Sequence, residues 1–231
     1  MHEVDKKVMV ERYAQRVKQG GHGPAALGEP KSRQAFYFDF LLQAEGLLSS
    51  DSIIDIGCGY GDLYSYLKAC GWTGRYTGVD INPELIAEGK RRYPEADLRV
   101  VDLQLDSFNE SFDWCICCAT LTSNTKGTPF EEHLKQMLDL MWAMSRKGLS
   151  FNLLSPLADY TNPIHARPAF DVVLPLVSGL TKRFSLRHDY MPFEYAVYAY
   201  KDAEINRELL IFSNQNEHFV DVTNRWSASR E

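Results

Sequence analysis

Between residues 52 and 155 the chain switches its apolar period repeatedly, and this alternation limits the fold more than any other feature. "SIIDIG" is an apolar run of strand length, "GDLYSYLKACG" has helical spacing closed by Gly71, and "RYTGVDI" is again a strand. "PELIAEGKRRYP" follows as a helix with Pro83 in its first turn, then "LRVVDL" and "FDWCICCAT" as strands. A long helix is predicted from a Thr128 cap to Gly148, and "LSFNLLS" is the next strand. Strands and helices in strict alternation need right-handed crossovers, which give a parallel sheet covered on both faces. The pattern then breaks. "RFSLRHDYMPFEYAVYAYK" reads as two strands around a short "HDYMP" turn, so the sheet is predicted to end in an antiparallel hairpin.

The flanks are simpler. Residues 3–19 are helical in pattern, with a weak apolar stripe of Val4, Val8, Tyr13 and Val17, and "GGHGPAALGEP" at 20–30 breaks the chain. A second helix, capped by Ser32, runs through "SRQAFYFDFLLQAEGLL", its aromatic run "AFYFDFLL" suited to packing on the sheet, with a substrate-stacking face as the alternative. The tail from 201 to 231 is polar with two apolar patches, "LLIF" and "HFVDV", for which another hairpin is one arrangement. Three segments result: an N-terminal helix and lid (1–30), an α/β domain (31–200) and a C-terminal extension (201–231).

Composition narrows the partners. A chain of 231 residues with 45% hydrophobic content fits one domain with a sizeable core. No apolar run approaches the roughly 18 residues that span a bilayer, and the charged N-terminus lacks the apolar core of an export signal. The five cysteines, at 58, 70, 115, 117 and 118, fall in apolar segments, which argues for reduced thiols and a cytoplasmic protein. "CICC" is explained by a buried strand, with Cys115 and Cys117 facing one way and Cys118 the other, so no metal is expected. A net charge of −6 argues against a nucleic-acid partner and for a small molecule; oligomeric state is not readable.

The turn "DIGCGYGD" shows which small molecule. A strand, a glycine turn and a helix bring free N–H groups and the positive end of a helix dipole together. Here Gly57, Gly59 and Gly61 fall on alternate positions, whereas the dinucleotide fingerprint needs its third glycine one residue later. Asp55 just before the turn would repel a pyrophosphate and suits an ammonium group. Asp80 ends the next strand, where nucleotide folds hold ribose hydroxyls, and Asp102 ends the one after, in place for an adenine amino group. The ligand so outlined has an amine, a ribose and an adenine.

On "DIGCGYGD", "YTGVDINPELI", "VVDL" and "FDWCICCAT" the chain resembles the class I S-adenosylmethionine-dependent methyltransferases over about residues 30–200. More narrowly, "YAQRV", "FNLLSPLADY" and "LRHDYMPFEYAVYAYK" resemble a little-characterised bacterial branch. The resemblance implies a Rossmann-like, doubly wound seven-stranded sheet, mostly parallel with a reversed last strand, under an N-terminal helical lid. It implies S-adenosylmethionine as cofactor and S-adenosylhomocysteine as product. Position by position, it places the Gly57–Cys58–Gly59 backbone under the methionyl part, Asp55 at the ammonium and Asp80 at the ribose. Ile81 falls against the adenine face, Asp102 and Leu103 at its edge, and Cys118 and Ala119 near the sulfonium. Arg33 is the candidate partner of the methionyl carboxylate, and Tyr13 a cover for the site.

Methyl transfer from a sulfonium is an in-line displacement, so the protein chiefly aligns the acceptor and excludes water. Polar residues at the carboxyl ends of the strands are the candidates to do so. They are Thr120 and Asn124 after the fourth strand; Ser155, Asp159, Tyr160 and His165 after the fifth; and His188, Asp189 and Tyr190 at the hairpin turn. His188 has the chemistry of a general base near neutrality, with Asp189 or Tyr190 to orient it or the acceptor. The catalytic set expected is therefore His188, Asp189, Tyr190 and Asn124, with 155–182 contributing to a substrate lid. "CATL" after the fourth strand is not the Asp/Asn-Pro-Pro-aromatic motif of amino-methylating nucleic-acid enzymes. A Pro-Cys nucleophile and an acid cluster for a divalent metal are missing there too. Metal-independent transfer to an oxygen or nitrogen of a small molecule is the leading expectation. The alternatives are an RNA or protein methyltransferase, or a non-catalytic regulatory protein that binds S-adenosylmethionine. A dinucleotide oxidoreductase is disfavoured by glycine spacing and hairpin.

Overall fold

The computed structural model describes residues 2–23, 27, 31–124, 126–160 and 162–228, with backbone alone at 31 and 32. Residues 24–26 and 28–30 of the glycine- and proline-rich break, and the capping side chain of Ser32, lie outside the described residues. Helices α1 (Glu3–Gly20) and α2 (Lys31–Leu41) come first. The alternating region supplies β1 (Ile53–Ile56), α3 (Asp62–Ala69), β2 (Tyr76–Asp80), α4 (Pro83–Arg92), β3 (Asp97–Val100) and β4 (Phe112–Cys117). It continues with α5 (Phe130–Met144), β5 (Ser145–Leu154), α6 (Phe170–Leu180), β6 (Phe184–Arg187) and β7 (Glu194–Tyr200).

These strands make one sheet in the order β3-β2-β1-β4-β5-β7-β6. All neighbours pair parallel up to β5; β7 is antiparallel to both β5 and β6. The expected hairpin is present, and its second strand inserts between β5 and β6. The order doubles back at β1 and β4, so a crevice opens at their carboxyl ends.

Alternation along each strand divides the core in two. Ile54, Ile56, Cys115, Cys117, Leu149, Phe151 and Val197 face α5 and α6. Ile53, Trp114, Ile116, Ala196 and Tyr198 face α2, α3 and α4. Each fully buried aliphatic side chain contributes about 1.5–3 kcal/mol, and two such faces hold the sheet between its helices. Cys115 and Cys117 lie in one cluster, and Cys118 packs against the other.

Local chemistry explains several boundaries. α3 ends in a paired turn: Trp72 N–H donates to Leu67 O and Gly71 N–H to Lys68 O, with Gly71 at φ +77. Asn82 caps α4 by accepting from the N–H groups of Glu84 and Leu85. α5 departs from expectation at both ends. Its N-cap position falls to Pro129, and it stops at Met144, four residues before Gly148. Gly148 belongs to β5, where an added Cβ would sit 2.3 Å from Ala199 O and 2.7 Å from the Trp114 ring. It serves close sheet packing, not helix termination.

The flanking segments add detail to these expectations. The stripe on α1 is divided: Val4 and Val8 are 50% and 39% exposed, Tyr13 and Val17 are half-buried, and Asp5 is buried. Within 155–182, α6 places Val173 and Val177 in the core. In the extension, β8 (Ile205–Asn206) pairs with β9 (Ile211–Phe212), but "HFVDV" is helical, within α7 (Asn216–Ala228). Among the described residues, no helix is long and apolar enough to cross a membrane.

Candidate active site

The crevice beyond β1 and β4 is a cavity walled by the glycine turn, the ends of β2 and β4, the segment after β3, and helices α1, α2 and α5. Gly57, Gly59 and Gly61 all have positive φ, at +72, +57 and +80. At Gly57 a Cβ would lie 2.1 Å from Thr120 Oγ1, and Thr120 donates from that oxygen to Gly57 O and Cys118 O. Only a bare backbone fits there. The turn is fastened from the other side by Asp80, whose carboxylate accepts from Gly59 N–H at 2.9 Å and Asn82 N–H at 2.8 Å.

Buried Asp55 and half-buried Asp80 line this cavity with no cation pairing either of them among the described residues. Burial pushes Asp55 up to about 7, against a hydrogen bond from Tyr76 Oη at 2.8 Å that favours its charged form. Burial pushes Asp80 up to about 6, partly offset by the N–H groups of Asn82, Gly59 and Ile81. Such sites gain from a ligand that brings positive charge and hydroxyl donors.

α1 closes the cavity from above. Asp5 accepts from Lys126 N–H at 2.6 Å and Gly127 N–H at 3.1 Å, and Lys6 pairs with Asp102 at 3.2 Å. These contacts turn Met9, Val10 and half-buried Tyr13 into the cavity. Burial and the Asp80 carboxylate together push the Tyr13 phenol up.

Of the residues expected at the cofactor, Tyr13, Asp55, Gly57, Cys58, Gly59, Asp80, Ile81, Asp102, Leu103, Cys118 and Ala119 all line the cavity. Arg33 does not. It is exposed on α2, and its neighbour Gln34 faces inward instead. None of the four expected catalytic residues lines the cavity. His188 Nε2 lies 2.8 Å from Ser155 Oγ, and its ring packs on Phe170. Asp189 is held by Arg187 through two hydrogen bonds at 3.0 and 2.9 Å. Tyr190 stacks on Phe40 with ring centroids 4.4 Å apart, and Asn124 Nδ2 donates to Pro163 O. For His188, Asp189 and Tyr190 the reason is sheet order: with β7 inserted, the β6 end stands four strands from β1, about 19 Å at the usual strand spacing. Asn124 follows β4 and is turned to Pro163, while its neighbour Ser123 lines the cavity.

Sequence reasoning passed over Tyr37, Phe38, Ser123 and His133, all of which line the cavity. The "AFYFDFLL" run carried a signal for the first two, because helical spacing lets only part of such a run face the sheet.

The site can be compared with known proteins. Residues 53–143 match the methyltransferase domain family. A candidate methyltransferase of Mycobacterium tuberculosis, Rv1506c, is 30% identical over 154 residues, which is 63% of this chain and 90% of that protein. The chain belongs to the class I S-adenosylmethionine-dependent methyltransferases. Solved structures share the fold of this methyltransferase. The Synechocystis magnesium protoporphyrin IX methyltransferase with bound S-adenosylhomocysteine superposes with a TM-score of 0.60 at 15% identity, covering 85% of this chain and 99% of that one. The N-methyltransferase NodS of Bradyrhizobium japonicum, with the same ligand, gives 0.61 at 15% identity over 83% and 97%. The cofactor of the methyltransferase is S-adenosylmethionine, and the residues present fit it: a cradle that a Cβ at Gly57 would fill, and two acids, Asp55 and Asp80, that no cation pairs among the described residues.

Proposed function

We propose that this methyltransferase transfers the methyl group to an oxygen or nitrogen of a small molecule, without a metal ion. The observation that carries the reading is the cover formed by α1. Pinned at Asp5 and Lys6, it lies over the cavity above the glycine turn and narrows the approach to it, which suits a small acceptor better than a polymer. The chain's net charge of −6 agrees with that. NodS and the protoporphyrin enzyme, which share the fold, carry small-molecule or N-methyl chemistry in their names. Metal independence is supported by the donors at the β4 end, where Thr120 and Ser123 offer hydroxyls and not paired carboxylates.

In this reading Asp55 meets the ammonium group, Asp80 the ribose, and Asp102 and Leu103 the adenine side, with Cys118 and Ala119 toward the sulfur. The cofactor supplies an activated methyl carbon. The chain's own contribution is alignment and exclusion of water, which is worth roughly 7–11 kcal/mol when the reacting atoms are well placed. His188 has no part in it, being held at Ser155 outside the cavity.

The test is incubation of the protein with methyl-labelled cofactor and a cell extract split by dialysis. Label should appear in the diffusible fraction and be insensitive to a chelator. Label confined to the RNA or protein fraction would overturn the small-molecule reading, and loss of labelling with chelator would overturn metal independence.

A further inference from the structure

One side of the cover helix carries charge that none of the roles above uses. Arg12 and Arg16 stand one turn apart on α1, and both are half-buried. Arg12 donates from Nη1 to Ser123 Oγ at 3.4 Å, a long contact, and Ser123 lines the cavity. The guanidinium carbon of Arg16 lies 5.6 Å from the ring centre of Tyr13, which lines the cavity too. Ser123 is in turn bridged to His165, in the segment after β5. Three elements therefore meet at this edge of the cavity: α1 and the segments that leave the carboxyl ends of β4 and β5. In an open α/β sheet, ligands bind beyond such ends.

Withdrawing a guanidinium from water is costly unless an anion meets it. Elsewhere in the chain the more exposed Arg75, Arg99 and Arg146 each pair with a carboxylate. Among the described residues no carboxylate pairs with Arg12 or Arg16, although the chain has 31 acidic residues to draw on. Their titratable neighbours supply no anion either. Burial and the Asp80 carboxylate push the Tyr13 phenol up, so it keeps its proton. Burial and the two guanidiniums hold the His165 imidazole below its usual range, so it adds no charge near neutral pH. Its buried Nδ1 makes no hydrogen bond among the described residues. Two cations at the cavity edge thus lack a counter-charge from the protein.

We infer that Arg12 and Arg16 form an oxyanion subsite for the methyl acceptor, which is therefore a small molecule bearing a carboxylate or phosphate group. The inference deepens the small-molecule reading and rests on it. The cofactor has a carboxylate of its own. In the reading above, however, its amino-acid end lies at Asp55 and the glycine turn after β1. Arg12 instead reaches Ser123, beyond Cys118 and Ala119 on the segment after β4. That is the side from which an acceptor approaches the methyl group, and paired guanidiniums are suited to hold its oxyanion in place.

The test divides the dialysable part of a cell extract on an anion exchanger, then incubates each half with the full chain and methyl-labelled cofactor. Label should form from the retained, anionic half and not from the flow-through. With that half limiting, Arg12→Gln and Arg16→Gln should each slow labelling about tenfold, and Arg12→Lys should regain part of the loss. The loss should shrink as the extract is concentrated. Calorimetric affinity for S-adenosylhomocysteine should stay within about twofold in all three variants, which also shows that they fold. Label formed from the flow-through alone, or rates unchanged in the variants, would overturn the subsite and leave the small-molecule reading in place. Equal losses of labelling and of S-adenosylhomocysteine affinity would assign the arginines to the cofactor's own carboxylate and overturn their role toward the acceptor. Label confined to the RNA or protein fraction would overturn the small-molecule reading itself.

Discussion

Gly57 fixes the site at the scale of one residue. Its φ of +72 and the 2.1 Å gap between a built Cβ and Thr120 Oγ1 leave no room for any side chain. Gly57→Ala should cost about 1–3 kcal/mol of stability and abolish S-adenosylhomocysteine binding, as read by thermal melts with and without ligand. The two cavity acids, Asp55 and Asp80, add a pH dependence whose sign is determined. Asp55 and Asp80 are raised to about 7 and about 6 by burial, above their unfolded values. Between about pH 4 and about pH 7 the folded, ligand-free protein therefore binds more protons than the unfolded chain, and their contribution to stability falls as pH rises. In Asp55→Asn the melting temperature should fall less steeply across that window than in wild type. These acids were legible in sequence because they end strands beside the glycine turn. Arg33 was not, because one residue along a helix is a rotation of about 100°, and Gln34 takes the inward place.

Helix α1 shows what periodicity does and does not convey. Its existence follows from spacing, but apolar content alone does not give its inner face, where Asp5 joins Met9, Val10 and Tyr13. Asp5 is turned inward because its carboxylate satisfies the N–H groups of Lys126 and Gly127, while Val4 and Val8 remain exposed. Asp5→Ala would remove the acceptor of two amides on exposed residues, which turn to water, at about 0.5–1.5 kcal/mol for each hydrogen bond lost. Proteolytic cleavage within residues 3–20 should accelerate, and S-adenosylhomocysteine affinity should fall, while the melt of the sheet domain shifts little. An unchanged cleavage rate would show that Asp5 does not hold the cover. The end of α5 was obscured for a related reason. Gly148 reads locally as a helix stop, yet contacts with Ala199 and Trp114 on neighbouring strands decide its place. Those contacts are long-range and invisible to a local pattern.

For the whole molecule, alternation and the terminal hairpin were enough to anticipate a mostly parallel sheet with one reversed strand. The consequence of inserting β7 between β5 and β6 was not anticipated, and it carries the "HDY" turn away from the crevice. The extension joins the sheet domain through few polar contacts, such as Asn214 and Gln215 to Glu45, while Leu210, Val220 and Trp226 remain exposed. Removal of residues 204–231 should leave a protein that folds and binds S-adenosylhomocysteine within about twofold of the full chain. A deletion that no longer folds would show the extension to be integral to the domain. Calorimetric titration of the full chain with S-adenosylhomocysteine from about pH 5 to about pH 8 tests the site most directly. Because the ligand's ammonium favours ionised Asp55, affinity should rise through about pH 6–7 in wild type, with proton release on binding, and be about tenfold weaker with a flatter profile in Asp55→Asn. Affinity that is independent of pH and equal in the two proteins would contradict a buried carboxylate at the heart of the cofactor site.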